Sequence, residues 1–448
     1  MKPRDAPHIL LVNPWIHDFA AYDFWAKPLG LLTLGGILRT QGARVTYLDC
    51  LDRFHPSCGP AASPPVRCGR GPYLKTVIAK PPGMADIPRN FCRYGIPPDW
   101  FRSDLQALDP PDLVLVTSLM TYWYPGVRET IEVVRSVFPK APLVLGGIYA
   151  TLCPEHAGST CGADRVVAGP GEGAVLSLVA QYTGWSPPPC FDPLDLDSLP
   201  RPVLDLEHRL VHVPLLTSRG CPFQCAYCAS HRLQPRMMRR SPASVVDEIV
   251  HWHRHHGVCD FAFYDDALLV DSDRHIAPLL EGVVAAGINV RFHTPNALHV
   301  REIDRPVARL MFQAGFHTIR LGLETTAFDG RQTMDRKVTE AEFIRTVGYL
   351  KEAGFRAGQV GAYLLAGLPG QELAGVEASI TVVKQAGITP VIAHYTPIPR
   401  TAMWAEAVAA SRYDLASDPI YCNNAIFPCR NEAFTWDALT RLKNLARA

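Results

Sequence analysis

The chain has no excess of charge of either sign: 44 basic residues stand against 43 acidic ones in 448 positions, a formal net charge of +1. No bulk field draws it to nucleic acid or anionic lipid, so neither is expected as a partner. Long apolar runs are missing too. The most apolar stretch, 29–38, is too short to span a bilayer and is read as a buried helix. No segment repeats at a fixed period, and Met1-Lys2-Pro3-Arg4-Asp5 shows no signal-peptide pattern. A cytoplasmic protein without a membrane span is the expectation. Its 13 cysteines are an odd number, and disulfides are scarce in that compartment, so a disulfide framework is disfavoured as well.

What is present is the composition of a globular protein, 48% hydrophobic and 19% charged, at a length that implies two or three domains. Prolines mark the seams. One cluster, between Pro56 and Pro98, sustains neither a helical nor a strand period and reads as a long irregular insertion. A second, Pro187-Pro188-Pro189 with Pro193, Pro200 and Pro202, separates two regions of alternating strand and helix pattern and reads as an interdomain linker. The expected organisation is a first domain over 1–185 with the insertion near 52–105, a linker over 186–205, a second domain over 206–400 and a C-terminal extension over 401–448.

The most informative residues are Cys221, Cys225 and Cys228, spaced C-x-x-x-C-x-x-C in Arg219-Gly220-Cys221-Pro222-Phe223-Gln224-Cys225-Ala226-Tyr227-Cys228. Three thiolates on one short loop can hold three irons of a [4Fe-4S] cubane, which normally takes four cysteines, and leave the fourth iron free for chemistry. Structural zinc wants four ligands, commonly in two close pairs; the later pair, Cys422 and Cys429, is too widely spaced for that. His251 and His255 share a helix face, but they and His253 and His256 fall at a helix C-terminus, where imidazolium suits the dipole, and no thiol or carboxylate accompanies them. Arg236, Arg239 and Arg240 read as a solvated basic turn.

From Val213 onward, short apolar runs alternate with helical ones, which implies parallel strands joined by right-handed crossovers. Six strands are expected at 213–217, 260–264, 289–292, 318–323, 359–365 and 391–394. Polar groups and glycines follow them: Asp265-Asp266, Asn296, Glu324 and Gly367-Leu368-Pro369-Gly370. In the first region, strands at 8–12, 43–48, 112–118, 142–145 and 164–167 imply a doubly wound sheet, whose ligands sit beyond the C-terminal strand ends. Those ends carry Asn13-Pro14, Thr117-Ser118, Gly146-Gly147 and Gly169-Pro170-Gly171-Glu172-Gly173.

The cysteine loop and the six β/α units resemble the radical S-adenosylmethionine (radical SAM) superfamily. The resemblance implies an α/β fold with a partial (β/α)6 TIM barrel, a [4Fe-4S] cluster on Cys221, Cys225 and Cys228, and SAM bound at the open iron and cleaved to a 5′-deoxyadenosyl radical. It further implies that Asp265 or Asp266 takes the methionyl ammonium, that Asn296 helps to hold SAM, and that Glu324 takes the ribose hydroxyls. Gly367 and Gly370 would admit the adenosine, with Tyr227 packed beside the adenine. Gln371 shifts the acid usual after this turn to Glu372, which puts that residue's role in doubt.

The first domain, with Pro28-Leu29-Gly30-Leu31, Ser118, Gly146-Gly147 and Gly171-Glu172-Gly173, resembles the Rossmann-like domain of the cobalamin-binding subgroup, many of whose members transfer methyl groups. Ser118, Gly146 and Gly147 are its candidate cobalamin residues. The histidine-ligand motif D-x-H-x-x-G is absent, because Trp15 and Ala20 flank His17 at the motif's offsets. The expected function is therefore radical SAM catalysis on a small-molecule or peptide substrate, with an electron donor such as flavodoxin or ferredoxin and, where cobalamin binds, methyl transfer. Two alternatives stay open: a cobalamin-independent radical rearrangement or modification, and a non-catalytic iron-sulfur electron-transfer or sensor protein.

Overall fold

Strands that read as unbroken apolar runs must be covered on both faces, which calls for parallel sheets flanked by helices. The computed structural model, which describes residues 6–59, 65–329, 334–335 and 338–447, has two such sheets. They belong to two compact units, Met1–Leu210 with Asp418–Tyr421, and Val211–Ser417 with Cys422–Ala448. Among the described residues no helix is long and apolar enough to cross a membrane.

In the first unit, β1 (His8–Asn13) and β2 (Ile16–Asp18) are followed by β3 (Arg44–Asp49), β4 (Lys75–Ile78), β5 (Phe91–Tyr94), β6 (Leu113–Val116), β7 (Leu143–Leu145) and β8 (Arg165–Val166). The parallel sheet runs β3-β1-β6-β7-β8, a doubly wound order. Every residue of β1, β6 and β7 is buried. Helix Leu29–Thr40 covers this core with Leu31, Leu32, Ile37 and Leu38, and Tyr124–Val137 with the stripe Val127, Ile131 and Val134. Gly36 is where the chain near Arg201 crosses the first of these helices. A Cβ there would lie 2.2 Å from the Arg201 carbonyl oxygen.

The proline-rich insertion is not wholly irregular. It contributes β4 and β5, which pair antiparallel with β2 in the order β2-β5-β4, and helix Pro98–Gln106. Three physical reasons hid these strands. β4 is largely exposed and has no apolar alternation, it is joined to β5 by the long connection 79–90 rather than a tight turn, and the second partner of β5 lies far back in the chain at Ile16–Asp18. Cys92 is buried in a small core with Ile16, Leu51, Tyr73 and Tyr94.

The second unit holds β9 (Val213–Leu215), β10 (Ser218–Arg219), β11 (Met238–Arg239), β12 (Asp260–Phe263), β13 (Arg291–His293), β14 (Phe316–Glu324), β15 (Val360–Ala366) and β16 (Thr389–His394). Six of them form a parallel sheet in chain order, β9-β12-β13-β14-β15-β16, the partial barrel expected. Helix Pro242–His256 starts at an Ser241 N-cap with proline in the first turn and stops at left-handed Gly257. Helix Glu340–Ala353 starts with a Thr339/Glu342 capping box. Helix Trp436–Arg447 packs on helix Leu373–Gln385 and on β16. Cys422 and Cys429 are buried, and the Cys429 thiol donates to the Ala407 carbonyl at 3.5 Å.

Candidate cofactor sites

Each flank of the cysteine loop is fixed. Ser218 and Arg219 pair antiparallel with Arg239 and Met238. Gly220 then turns the chain at φ +85°, with a would-be Cβ 2.6 Å from the Arg236 carbonyl oxygen, so no side chain is tolerated at this corner. Ala226 N–H donates to the Met334 carbonyl and its own carbonyl accepts from Met403 N–H, both at 2.9 Å. Phe223 stacks on buried His299 at 4.2 Å between ring centroids.

Cys225 is buried, Cys221 and Cys228 are half-buried, and none of the three is in a disulfide. Backbone N–H groups already point at two of the sulfurs, from Phe223 to Cys221 and from Ser230 to Cys228 at 3.4 Å. Such donors favour thiolate ligands. Burial pushes the uncoordinated Cys221 thiol up to about 11, a cost that coordination to a cationic centre reverses. Among the described residues no three His, Cys, Asp or Glu side chains converge as ligands of a single ion. A cubane takes one thiolate per iron and needs no such convergence, so the donor set fits a cluster better than mononuclear zinc.

The strand ends divide the candidate SAM residues. Asp265 is buried and already saturated. Its Oδ1 accepts from Thr217 N–H (3.1 Å), Thr217 Oγ1 (2.7 Å), Ser218 N–H (2.6 Å) and Ser218 Oγ (2.6 Å), and its Oδ2 accepts from Thr217 N–H at 3.2 Å. Asp266 is the partner that faces the cysteines. It accepts from Ser230, and its charge helps to raise the Cys221 thiol; burial lifts its own carboxyl above the usual range. Asn296 braces two strand ends by donating from Nδ2 to the Tyr264 carbonyl at 2.7 Å.

Glu324 is buried and left-handed, at φ +65°, beside a register shift in the pairing of β14 with β15. A bulge of this kind re-aims the side chain at a strand end. Its charge, after burial, helps to raise the hydroxyls of Tyr227 and Tyr363. Gly367 and Gly370 both have positive φ, and Gly370 faces open space while a Cβ on Gly367 would lie 2.9 Å from the Phe427 ring. The reading of Gln371 as an interruption missed its function. Its Oε1 accepts from Gly367 N–H at 2.8 Å and its Nε2 donates to the Leu365 carbonyl at 2.8 Å, which ties the turn shut, while Glu372 is only the N-cap position of the next helix.

In the first unit, the switch point of the parallel sheet lies between β1 and β6. Ser118, just past β6, donates to the Gly146 carbonyl at 2.6 Å and accepts from Ala150 N–H at 3.3 Å. Gly147, at φ +99°, is a glycine because a Cβ would lie 2.2 Å from the Ser118 carbonyl oxygen. Gly146 is different: a Cβ there meets nothing closer than the Val167 carbonyl at 3.9 Å. His17 Nε2 pairs with Glu129 at 2.7 Å, and Glu129 also takes Arg93. Sequence reasoning missed a buried polar knot at the ends of β1 and β3, in which Asn13 donates to Asp49, Lys27 pairs with Glu207, and Arg53 with Asp23. Only the strand-end position of Asn13 signalled it.

Residues 215–382 match the radical SAM superfamily, and residues 94–179 match the B12 binding domain. The chain is a member of the radical SAM superfamily that carries a B12-binding domain. It is 26% identical to an uncharacterized methyltransferase of Pyrococcus horikoshii, over 67% of this chain and 70% of that one. It is 22% identical to the cytidylyl-2-hydroxyethylphosphonate methyltransferase of Streptomyces wedmorensis, over 87% and 79%. Its fold is similar to that of TsrM, a radical SAM methyltransferase from Kitasatospora setae solved with cobalamin and a [4Fe-4S] cluster bound, at a TM-score of 0.65 and 19% identity over 91% of this chain and 76% of that one.

Proposed function

We propose that this radical SAM enzyme is a cobalamin-dependent methyltransferase acting in the cytoplasm on a small-molecule or peptide substrate. The observation that carries the reading is the set of three cysteines, C-x-x-x-C-x-x-C and none in a disulfide, at the C-terminal end of the first strand of a six-stranded parallel barrel, in a chain that also holds a B12-type doubly wound sheet. Three relatives bear the name methyltransferase. When bound, the cluster supplies the electron that cleaves SAM and cobalamin carries the methyl group, with the electron drawn from a donor such as flavodoxin or ferredoxin.

The protein's own part is placement. Cys221, Cys225 and Cys228 hold the cluster, and Asp266 takes the methionyl ammonium. Glu324 takes the ribose diol with its two acceptor oxygens, and the Gly367–Gly370 turn, held by Gln371, admits the adenosine beside Tyr227. Asn296 keeps the strand ends together. In the first unit, Gly146 offers the corrin an open backbone, on a turn whose shape Ser118 and Gly147 set.

The test is anaerobic reconstitution of the full chain, titration with hydroxocobalamin, and incubation with methyl-labelled SAM and a low-potential reductant. Bound corrinoid that acquires the label supports the reading. Reductive formation of 5′-deoxyadenosine without corrinoid binding at micromolar concentration would move the enzyme to cobalamin-independent radical chemistry.

A further inference from the structure

Thr217 and Ser218 stand four and three residues before Cys221, and their polar groups are held from two sides. On one side the Asp265 carboxylate takes both backbone N–H groups and both hydroxyls. On the other, Arg240 N–H donates to the Thr217 carbonyl at 2.8 Å, and Ser218 pairs with Arg239. A third element closes the knot. The Thr217 hydroxyl spends its proton on Asp265, so its contact with His275 Nε2 at 2.8 Å must be one in which it accepts and the imidazole donates. Thr217, His275 and Asp265 are 0%, 2% and 3% exposed, so water cannot replace a lost partner. Burial, with help from Arg239, brings His275 down to about 4, which keeps the ring neutral.

We infer that Asp265, Thr217 and His275 form a latch that fixes the entry to the cysteine loop and so places Cys221 for the cluster, with Asp265 a positioning residue and not a SAM contact. The inference rests on the cluster reading of the three cysteines. A cubane held by three protein thiolates has one anchor fewer than the usual four, so each anchor must be well placed. The latch joins the C-terminal ends of β9 and β12 to the segment that opens helix Ile276–Ala285, and the first cysteine is thereby referred to the rigid sheet.

The experiment compares the anaerobically reconstituted full chain with Thr217→Val, Thr217→Ser and Asp265→Asn. It reads two quantities, the rate at which iron is lost to a chelator and the change that SAM makes in the electron paramagnetic resonance spectrum of the reduced cluster. Thr217→Val keeps the shape and removes the hydroxyl. It and Asp265→Asn should lose iron roughly 10- to 100-fold faster, the usual cost of removing an outer-shell partner. Thr217→Ser should hold iron as the parent does, and SAM should still perturb the spectrum of whatever cluster remains in each variant. If Asp265→Asn does not fold, the two threonine variants decide by themselves. Parental persistence in Thr217→Val overturns the latch. So does parental persistence in Asp265→Asn with the SAM effect abolished, which returns Asp265 to the SAM site. A parent that takes up no iron overturns the cluster reading and the latch together.

Discussion

Replacing Glu324 by alanine and, separately, by glycine resolves two quantities that this residue combines. A side chain at φ +65° brings its Cβ against the following carbonyl, at roughly 1–2 kcal/mol for an L residue. Alanine keeps that strain and removes the carboxylate; glycine removes both. Glycine also loosens the unfolded chain, which costs about 0.4–1 kcal/mol. The difference leaves the glycine variant ahead of the alanine variant by about 0.5–1 kcal/mol, or about 1–4 °C in melting temperature for a unit of this size. Affinity for SAM should move in the same direction for both. Each loses a charge-assisted bond to the ribose diol, roughly 1.5–3 kcal/mol, which is a loss of at least about tenfold. Anaerobic thermal unfolding of the cluster-free proteins gives the first number and equilibrium dialysis of SAM against cluster-loaded protein gives the second. An alanine variant at least as stable as the glycine variant would refute the strain argument, and unchanged SAM affinity in both would remove Glu324 from the site.

Reconstituted protein should carry about four irons per chain, and a Cys221, Cys225 and Cys228 triple alanine variant should carry none; stoichiometric zinc in place of iron would contradict the cluster. In the first unit, Gly146→Val should obstruct corrinoid binding while the protein stays folded, because its Cβ meets only an ordinary contact, whereas Gly147→Val should disturb the fold itself, as circular dichroism would report. His17→Ala should leave the spectrum of bound corrinoid unaltered, since the ring's Nε2 is committed to Glu129. Burial raises Glu207 to about 7 and Asp49 to about 6, above their unfolded values, and Lys27 offsets this only in part. The folded state therefore binds the extra protons, and their stabilisation is complete below the unfolded values near pH 4 and lost as pH rises through 6 to 7. Denaturant titrations across that range should show the decline, and Glu207→Gln should flatten it.

How much of this was legible in the sequence depended on how local each signal was. The apolar runs of β1, β6 and β9 and the stripe Val127, Ile131, Val134 declare themselves over a few residues, and the strands lie within about two residues of their expected places. The cysteine loop is local too. β4 and β5 were not legible, because a long connection rather than a tight turn joins them, the other partner of β5 is remote in sequence, and β4 carries no apolar code. Thr217 and His275 carry no local signal; only the folded chain brings both to Asp265. Gln371 was visible but was read as a defect in a familiar turn, since its amide's two bonds to the turn's backbone exist only once Gly367 adopts a positive φ. Gly147 was singled out for the corrin, but the reason the folded chain gives for its glycine is the Ser118 backbone, which a linear reading cannot see.

The two hydrogen bonds that pin Ala226 set an order of assembly. One of them comes from Met403, 175 residues beyond the last cysteine of the loop. At about 5–20 residues per second, translation takes roughly 10–35 s to reach that residue after Cys228 is made. Through that interval the three thiols emerge without the brace that closes around them, open to oxidation and to stray metals. Iron and sulfide delivered during synthesis would meet an unfinished cradle. A loop braced on both sides is therefore available to a cluster only after synthesis has passed Met403.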